Sequence, residues 1–296
     1  MSYVKPAELV SRMVDAGAAK MQLSTRDTLI RAFMGAAMLT MGAAFAVTVS
    51  TQTGAPLLGA VLFPVGFVIL YLFGYDLLTG VFTLGPLAVM ARRPGATVRA
   101  MLRNWGLVFL GNLGGAITVA VLMAIYFTYG FSTEPSAVGH AIGEIGHGRT
   151  VGYADHGAAG MLTLFIRGVL CNWLVSTGVV LAMASDHIVG KILAMWLPIM
   201  LFFYMGFEHS IVNMFLFPSG LLLGADFTLW DYLIWNEIPT VVGNLVGGLL
   251  FVGLPLYFTH GRTRTRSDAR TRTGARSRAA AVPARVEVPV REPVGV

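Results

Sequence analysis

The sequence predicts an all-α membrane protein of six transmembrane helices, built as two inverted three-helix repeats with broken second and fifth helices. Three observations predict it. Apolar types make up 55% of the 296 residues and charged types only 12%, against about 25% charged in a soluble domain. Six apolar stretches, at 30–49, 57–90, 102–129, 160–184, 188–217 and 234–258, each reach the ~20 residues that a helix needs to cross the hydrocarbon core. Short motifs in the first half return in the second at one fixed offset.

The elements follow in order. Residues 1–27 form a cytoplasmic segment with no apolar core or cleavage site of a signal peptide. Leu9, Val10, Met13, Val14 and Met21 recur at helix spacing, which predicts an amphipathic helix at the membrane surface. Residues 28–259 form the transmembrane domain. Within it, 57–90 and 188–217 are too long for one span, and each holds an acid in its interior, Asp76 and Glu208. Both read as helices interrupted at membrane depth, where irregular backbone is tolerated only if protein or a water-filled cavity surrounds it. Residues 130–159 read as an outer loop. Residues 260–296, rich in Arg, Thr and Ala, read as a disordered cytoplasmic tail whose arginines fix topology or touch anionic lipid. The single cysteine, Cys171, excludes an intramolecular disulfide and reads as a packing residue.

Charge sets the orientation. The N-terminal flank, the loop after the second stretch and the tail carry 18 of the 21 Lys and Arg residues. The opposite loops carry mainly acids, against Arg149 alone. Both termini are therefore expected in the cytoplasm of a multi-pass plasma-membrane protein.

The repeat has an offset of 132 residues. Gly74-Tyr75-Asp76 returns as Gly206-Phe207-Glu208, Gly111-Asn112-Leu113 as Gly243-Asn244-Leu245, and Asn104 as Asn236. An odd number of spans per copy inverts one copy against the other. Inverted repeats with a broken helix in each half are the architecture of channels and transporters, with the site where the breaks meet. Gly111/Gly115 and Gly243/Gly247 are small-xxx-small pairs for close helix packing.

Chemistry concentrates at the breaks. Asp76 and Glu208 are expected to cap the N–H groups of the following half-helices. His209 differs from its repeat partner Leu77, and a histidine can hydrogen-bond an anion or exchange a proton near neutral pH. Thr79, three residues beyond Asp76, either faces the same midplane point or bonds its own backbone. Asn172, in Asn172-Trp173, is a candidate pore-lining residue. His140, His147 and His156 have no metal-site spacing. No second span histidine completes a haem pair, and no nucleophile–base constellation occurs. No enzyme, cofactor, metal or nucleic-acid partner is expected.

Several motifs resemble the formate–nitrite transporter family. They are Arg167-Gly168-Val169-Leu170-Cys171-Asn172-Trp173, Gly206-Phe207-Glu208-His209-Ser210-Ile211-Val212-Asn213, Gly74-Tyr75-Asp76-Leu77-Leu78-Thr79, Asn104-Trp105 and, less tightly, Pro6-x-Glu8 with Ala16-Gly17-Ala18-Ala19-Lys20. The resemblance runs from about residue 5 to 258. It implies an aquaporin-like fold, a homopentamer with one pore per protomer, and passage of formate, nitrite or hydrosulfide, linked to protons through a central histidine. It assigns His209, Thr79 and Asn172 to the pore, and Phe63, Phe67, Leu77, Leu78 and Phe202 to apolar constrictions. Asp76, Glu208 and Asn213 are expected to support the helix breaks. Many members carry a vestibule lysine at the start of the fourth span; here the stretch is Ala154-Asp155-His156-Gly157-Ala158, so His156 is expected there. Among the alternatives, a neutral-solute pore of aquaporin type would show flux that does not change with pH.

Overall fold

The computed structural model describes residues 3–261, and they form helices almost throughout. The arginine-rich tail from residue 262 onward lies outside the described residues. Among the described residues ten helices longer than one turn carry the fold: α1 (Pro6–Met21), α2 (Thr25–Thr53), α3 (Pro56–Leu72), α4 (Leu78–Met90), α5 (Val98–Phe127), α6 (Ala137–Gly148), α7 (Gly157–Met183), α8 (Ile188–Tyr204), α9 (Ser210–Leu222) and α10 (Leu229–Gly261). Four of them, α2, α5, α7 and α10, are long and apolar enough to cross a membrane by length and composition. The stretches 57–90 and 188–217 each form two shorter apolar helices, α3 with α4 and α8 with α9.

Local chemistry fixes the ends. Ser24 caps α2 by accepting from the Asp27 N–H at 3.0 Å, and Thr97 caps α5 by accepting from the Ala100 N–H at 3.1 Å. Pro6 and Pro56 open α1 and α3, where a missing N–H is harmless. The two interruptions follow Gly74 (φ 72°) and Gly206 (φ 66°). Both glycines sit in the left-handed region, which ends a helix without Cβ strain.

Small residues let the long helices touch backbone to backbone. The fully buried Ala32 of α2 faces α5, where Gly111 and Gly115 leave room for the α2 main chain at Leu29 and Phe33. Gly243 and Gly247 of α10 do the same against α7; a Cβ on Gly243 would stand 2.7 Å from the Phe165 carbonyl oxygen. Lipid tails are as apolar as leucine, so close packing of this kind, not hydrophobic exclusion, holds such helices together.

Two elements differ from expectation. α1 turns its apolar face onto protein, not lipid: Leu9, Val10, Met13 and Val14 are buried with Leu84 and Leu87 of α4 and Val180 of α7. The 130–159 loop contains α6, capped by Ser136, which accepts from the Gly139 N–H at 3.4 Å. Its glycines at 139, 143 and 146 gave no helix signal, because glycine disfavours helices. In the structure they form a flat face: a Cβ on Gly146 would stand 2.6 Å from the Phe227 ring, and one on Gly143 3.2 Å from Ala225. Tertiary packing overrides propensity there.

Candidate functional site

The two helix interruptions are held by the same device. At the first, Asn112 of α5 accepts from the Leu78 N–H at 2.9 Å and donates to the Ala32 and Asp76 carbonyls at 2.7 and 2.9 Å. At the second, Asn244 of α10 accepts from the Ser210 N–H at 3.0 Å and donates to the Gly168 and Glu208 carbonyls at 2.8 and 2.9 Å. Each asparagine satisfies two backbone groups freed by a break, an N–H and a carbonyl that would otherwise be buried without partners, and ties them to a carbonyl of the neighbouring long helix. The backbone N–H of Asp76 reaches the Arg31 carbonyl at 3.3 Å, and that of Glu208 the Arg167 carbonyl at 3.4 Å.

The carboxylates do not cap. α4 has no side-chain cap at its start, and the first N–H of each following half-helix is taken by an asparagine. The carboxylates instead hold cations. Asp76, buried, pairs with Lys20 from the last turn of α1. Glu208, buried, lies 3.6 Å from Arg149, just after α6. Glu208 also accepts from the Tyr153 hydroxyl at 2.8 Å, from Asn213 Nδ2 at 2.9 Å and from Asn236 Nδ2 at 3.2 Å. The carbonyl of each cationic residue is tied down in turn, Lys20 by Asn104 at 3.1 Å and Arg149 by Asn236 at 3.0 Å.

His209 ends the second interruption. Its Nδ1 accepts from the Val212 N–H at 3.3 Å, so a neutral ring carries its proton on Nε2. Nε2 faces the Thr79 hydroxyl oxygen at 3.3 Å, across the two halves of the chain. Both residues are buried. Thr79 thus faces the second break, one of the two alternatives that its position left open. Asn172 lies beside them, with Nδ2 donating to the Thr79 carbonyl at 3.1 Å and the Asn244 carbonyl at 2.7 Å. Both amide hydrogens are thus spent on backbone.

A cavity lies on each side of this contact. One, of about 290 Å³, is lined among others by Lys20, Phe67, Tyr71, Asp76, Leu77 and Thr79. The other, of about 440 Å³, is lined among others by Glu144, Arg149, Phe202, Phe203, Phe207 and Val212. Phe202 stacks on the His209 ring at 5.6 Å between centroids, and Phe63 meets Phe202 edge-on at 5.5 Å. Phe63, Phe67, Leu77, Leu78 and Phe202 are all buried.

His156 does not reach this site. It is exposed, precedes α7 and does not line the second cavity. The cation in that cavity is Arg149. Sequence reasoning also missed Lys20, Tyr153, Asn112 and Asn244 as members of the network. The signals existed: Arg149 stood alone among the acids of its loop, and both asparagines lie in the repeated motifs.

A family profile described as formate/nitrite transporter matches residues 7–258. The chain belongs to the formate/nitrite transporter family. It is similar to the uncharacterized transporter YrhG of Bacillus subtilis, 34% identical over 90% of this chain and 98% of that protein. It is also similar to a probable formate transporter of Methanothermobacter thermautotrophicus, 33% identical over 88% and 98%. Its fold matches a solved pentameric formate channel with formate bound at a TM-score of 0.65, covering 80% of this chain and 97% of that one at 24% identity. The formate/nitrite transporters are membrane transporters and channels, not enzymes, and this chain is a multi-pass member.

Proposed function

We propose that the chain is a pore for small monovalent weak-acid anions, formate or nitrite among them, with the Thr79–His209 contact as the crossing point. The observation that carries the reading is that this one buried polar contact is flanked by two cavities, each lined by a cation and closed by apolar rings. An anion drawn to Lys20 or Arg149 leaves water before it meets Phe67 and Leu77 on one side or Phe202 on the other. Carrying a bare charge past such rings costs far more than carrying a neutral molecule. His209 lowers that cost: with Nδ1 held by the Val212 N–H, the ring presents its Nε2 proton as a hydrogen bond to the anion's oxygen at the crossing point. A proton taken up from cavity water together with the anion lets it pass the rings as the neutral acid, and His209 keeps its neutral tautomer throughout.

The architecture that suits this role has six spans, α2, α3 with α4, α5, α7, α8 with α9, and α10, in two inverted repeats of aquaporin-like form. The matching bonds of Asn112 and Asn244 support it. A homopentamer, by likeness to the solved relative, with lipid against the outer apolar faces, completes it. The basic N-terminal flank and the loop after α4 support termini in the cytoplasm, which puts Lys20 at the inner mouth and Arg149 at the outer. In this reading Arg149 supplies the vestibule charge expected of His156.

The test is formate and nitrite flux in proteoliposomes. His209→Phe abolishes flux while the protein keeps its oligomeric state on gel filtration. Undiminished flux through this variant would remove His209 from the mechanism.

A further inference from the structure

Most hydroxyls within the long helices bond their own helix. Thr40, Thr118, Thr163 and Thr177 each donate to the carbonyl four residues back, at 2.7–2.8 Å. Thr83 and Ser176 do not. They bond each other between α4 and α7, Oγ1 to Oγ at 2.6 Å, and both are buried. Ser176 then donates to Asn172 Oδ1 at 3.1 Å, so the proton in the short bond comes from Thr83. The chain runs Thr83, Ser176, Asn172 and ends on the Thr79 carbonyl, one turn above Thr83 on the same half-helix.

Gly248 of α10 makes room for it. A Cβ at that position would stand 2.6 Å from Asn172 Nδ2 and 2.7 Å from Ser176 Oγ. The π-helical turn Leu249–Gly253 follows directly, and a Cβ on Gly253 would stand 3.1 Å from the Thr83 carbonyl oxygen. Turns of this kind recur at functional sites.

The other half of the molecule is an internal control. At the offset of 136 residues that relates Arg31 to Arg167, Asn172 and Ser176 correspond to Ala36 and Thr40, and Thr40 bonds its own helix. At the offset of 132, Thr83 corresponds to the buried Phe215 and Gly248 to Ala116. That half holds its helix break with Asn244 and, among the described residues, has no such chain. The break is therefore held without it, and among the described residues the chain occurs on the side that carries Thr79 alone.

We propose that Thr83 and Ser176 are positioning residues, a hydroxyl latch that acts through Asn172 to hold the Thr79 hydroxyl against His209. The latch rests on the reading of Thr79 and His209 as the crossing point. It touches no anion; it fixes the rotation of the first turn of α4 about its axis, and so the distance across the contact.

The experiment is formate flux against formate concentration in proteoliposomes, with His209→Phe in the same series. Thr83→Val keeps the shape and removes the donor. Ser176→Ala removes one oxygen and carries the test if Thr83→Val fails to fold. Each lowers the maximal rate about tenfold, the scale of one buried hydrogen bond. Half-saturation stays within about twofold, because the cavities are untouched. Thr83→Ser, which keeps the donor, restores the rate to within about twofold. The double variant is no slower than either single one, because the two hydroxyls act as a unit. Wild-type rates in both single variants, while His209→Phe is inactive, would overturn the latch and leave the pore assignment standing. So would losses that multiply to about a hundredfold in the double variant. Full flux through His209→Phe would remove the pore assignment, and the latch with it.

Discussion

The break at Asp76 and the break at Glu208 use the same scaffold for different loads. Asn112 and Asn244 bond the same three kinds of backbone group at nearly the same distances. Gly74 and Gly206 turn the chain alike. Around the acids the likeness ends. Asp76 has Lys20, and its second carboxylate oxygen has no hydrogen-bond partner among the described residues. Glu208 has Tyr153, Asn213, Asn236 and Arg149. Beyond the acids, Leu77 is apolar where the second break carries His209. The comparison teaches that what both breaks share is what holds interrupted helices together, and what one alone has is where specialised chemistry should be sought.

The largest effect should come from removing the more heavily used acid. Glu208→Ala leaves buried amide and hydroxyl donors without partners and should cost about 3–5 kcal/mol, the scale for breaking a buried ion pair. Asp76→Ala frees only Lys20, a quarter of whose side-chain surface is already exposed, and should cost about half as much. Thermal melting in detergent checks the order: a lower melting temperature for Glu208→Ala than for Asp76→Ala. Equal shifts would mean that the additional partners of Glu208 contribute nothing to stability.

Much of this scaffold was legible before the structure. The length of 57–90 and 188–217, with one acid in each, located both interruptions. Asn104, Asn112, Asn236 and Asn244 surfaced in the repeat because identical spacing is visible in one dimension. What they bond was not visible. Asn112 holds the carbonyl of Asp76 from 36 residues away, and no local pattern links the two. The same distance in sequence hid the ion pairs: Lys20 and Asp76 lie 56 residues apart. Capping was the local rule for a carboxylate beside a helix start, and it failed because an asparagine from another helix had taken the N–H groups first. α6 was hidden for the opposite reason, since its glycines argue against a helix and only the surface they pack on argues for one.

A middle-sized effect should separate Arg149 from His156. Both lie in the 130–159 segment, and the position of the missing lysine favoured the histidine. Arg149 lines the cavity and His156 stands exposed outside it. Arg149→Gln should lower formate uptake about five- to tenfold at low formate and less at saturation, since removing an attracting charge acts mainly on encounter. The loss should shrink at high salt. His156→Gln should stay within about twofold of wild type. The reverse order in initial-rate uptake would return the vestibule charge to His156.

The smallest effect, and the finest test of why the Glu208 side differs, is Tyr153→Phe. Tyr153 lies on a single turn, Val151–Ala154, between the apolar helices. Its hydroxyl donates to Glu208 at 2.8 Å and accepts from Arg167 Nη1 at 2.7 Å, so it links a span arginine to the acid at the break. Burial first, and then the charge of Glu208, hold this hydroxyl above the usual tyrosine range. A group raised in this way keeps its proton, and with it the bond to Glu208, at every pH below that range. Any stability it contributes is therefore fully present at neutral pH and is lost only as pH rises through the raised value. Tyr153→Phe should cost about 1 kcal/mol, the net worth of one hydrogen bond, and the cost should be the same at pH 6 and pH 8. A penalty in melting temperature that changes steeply across that interval would mean that Tyr153 titrates with its neighbours, and that the Glu208 network carries a proton switch which the Asp76 side lacks.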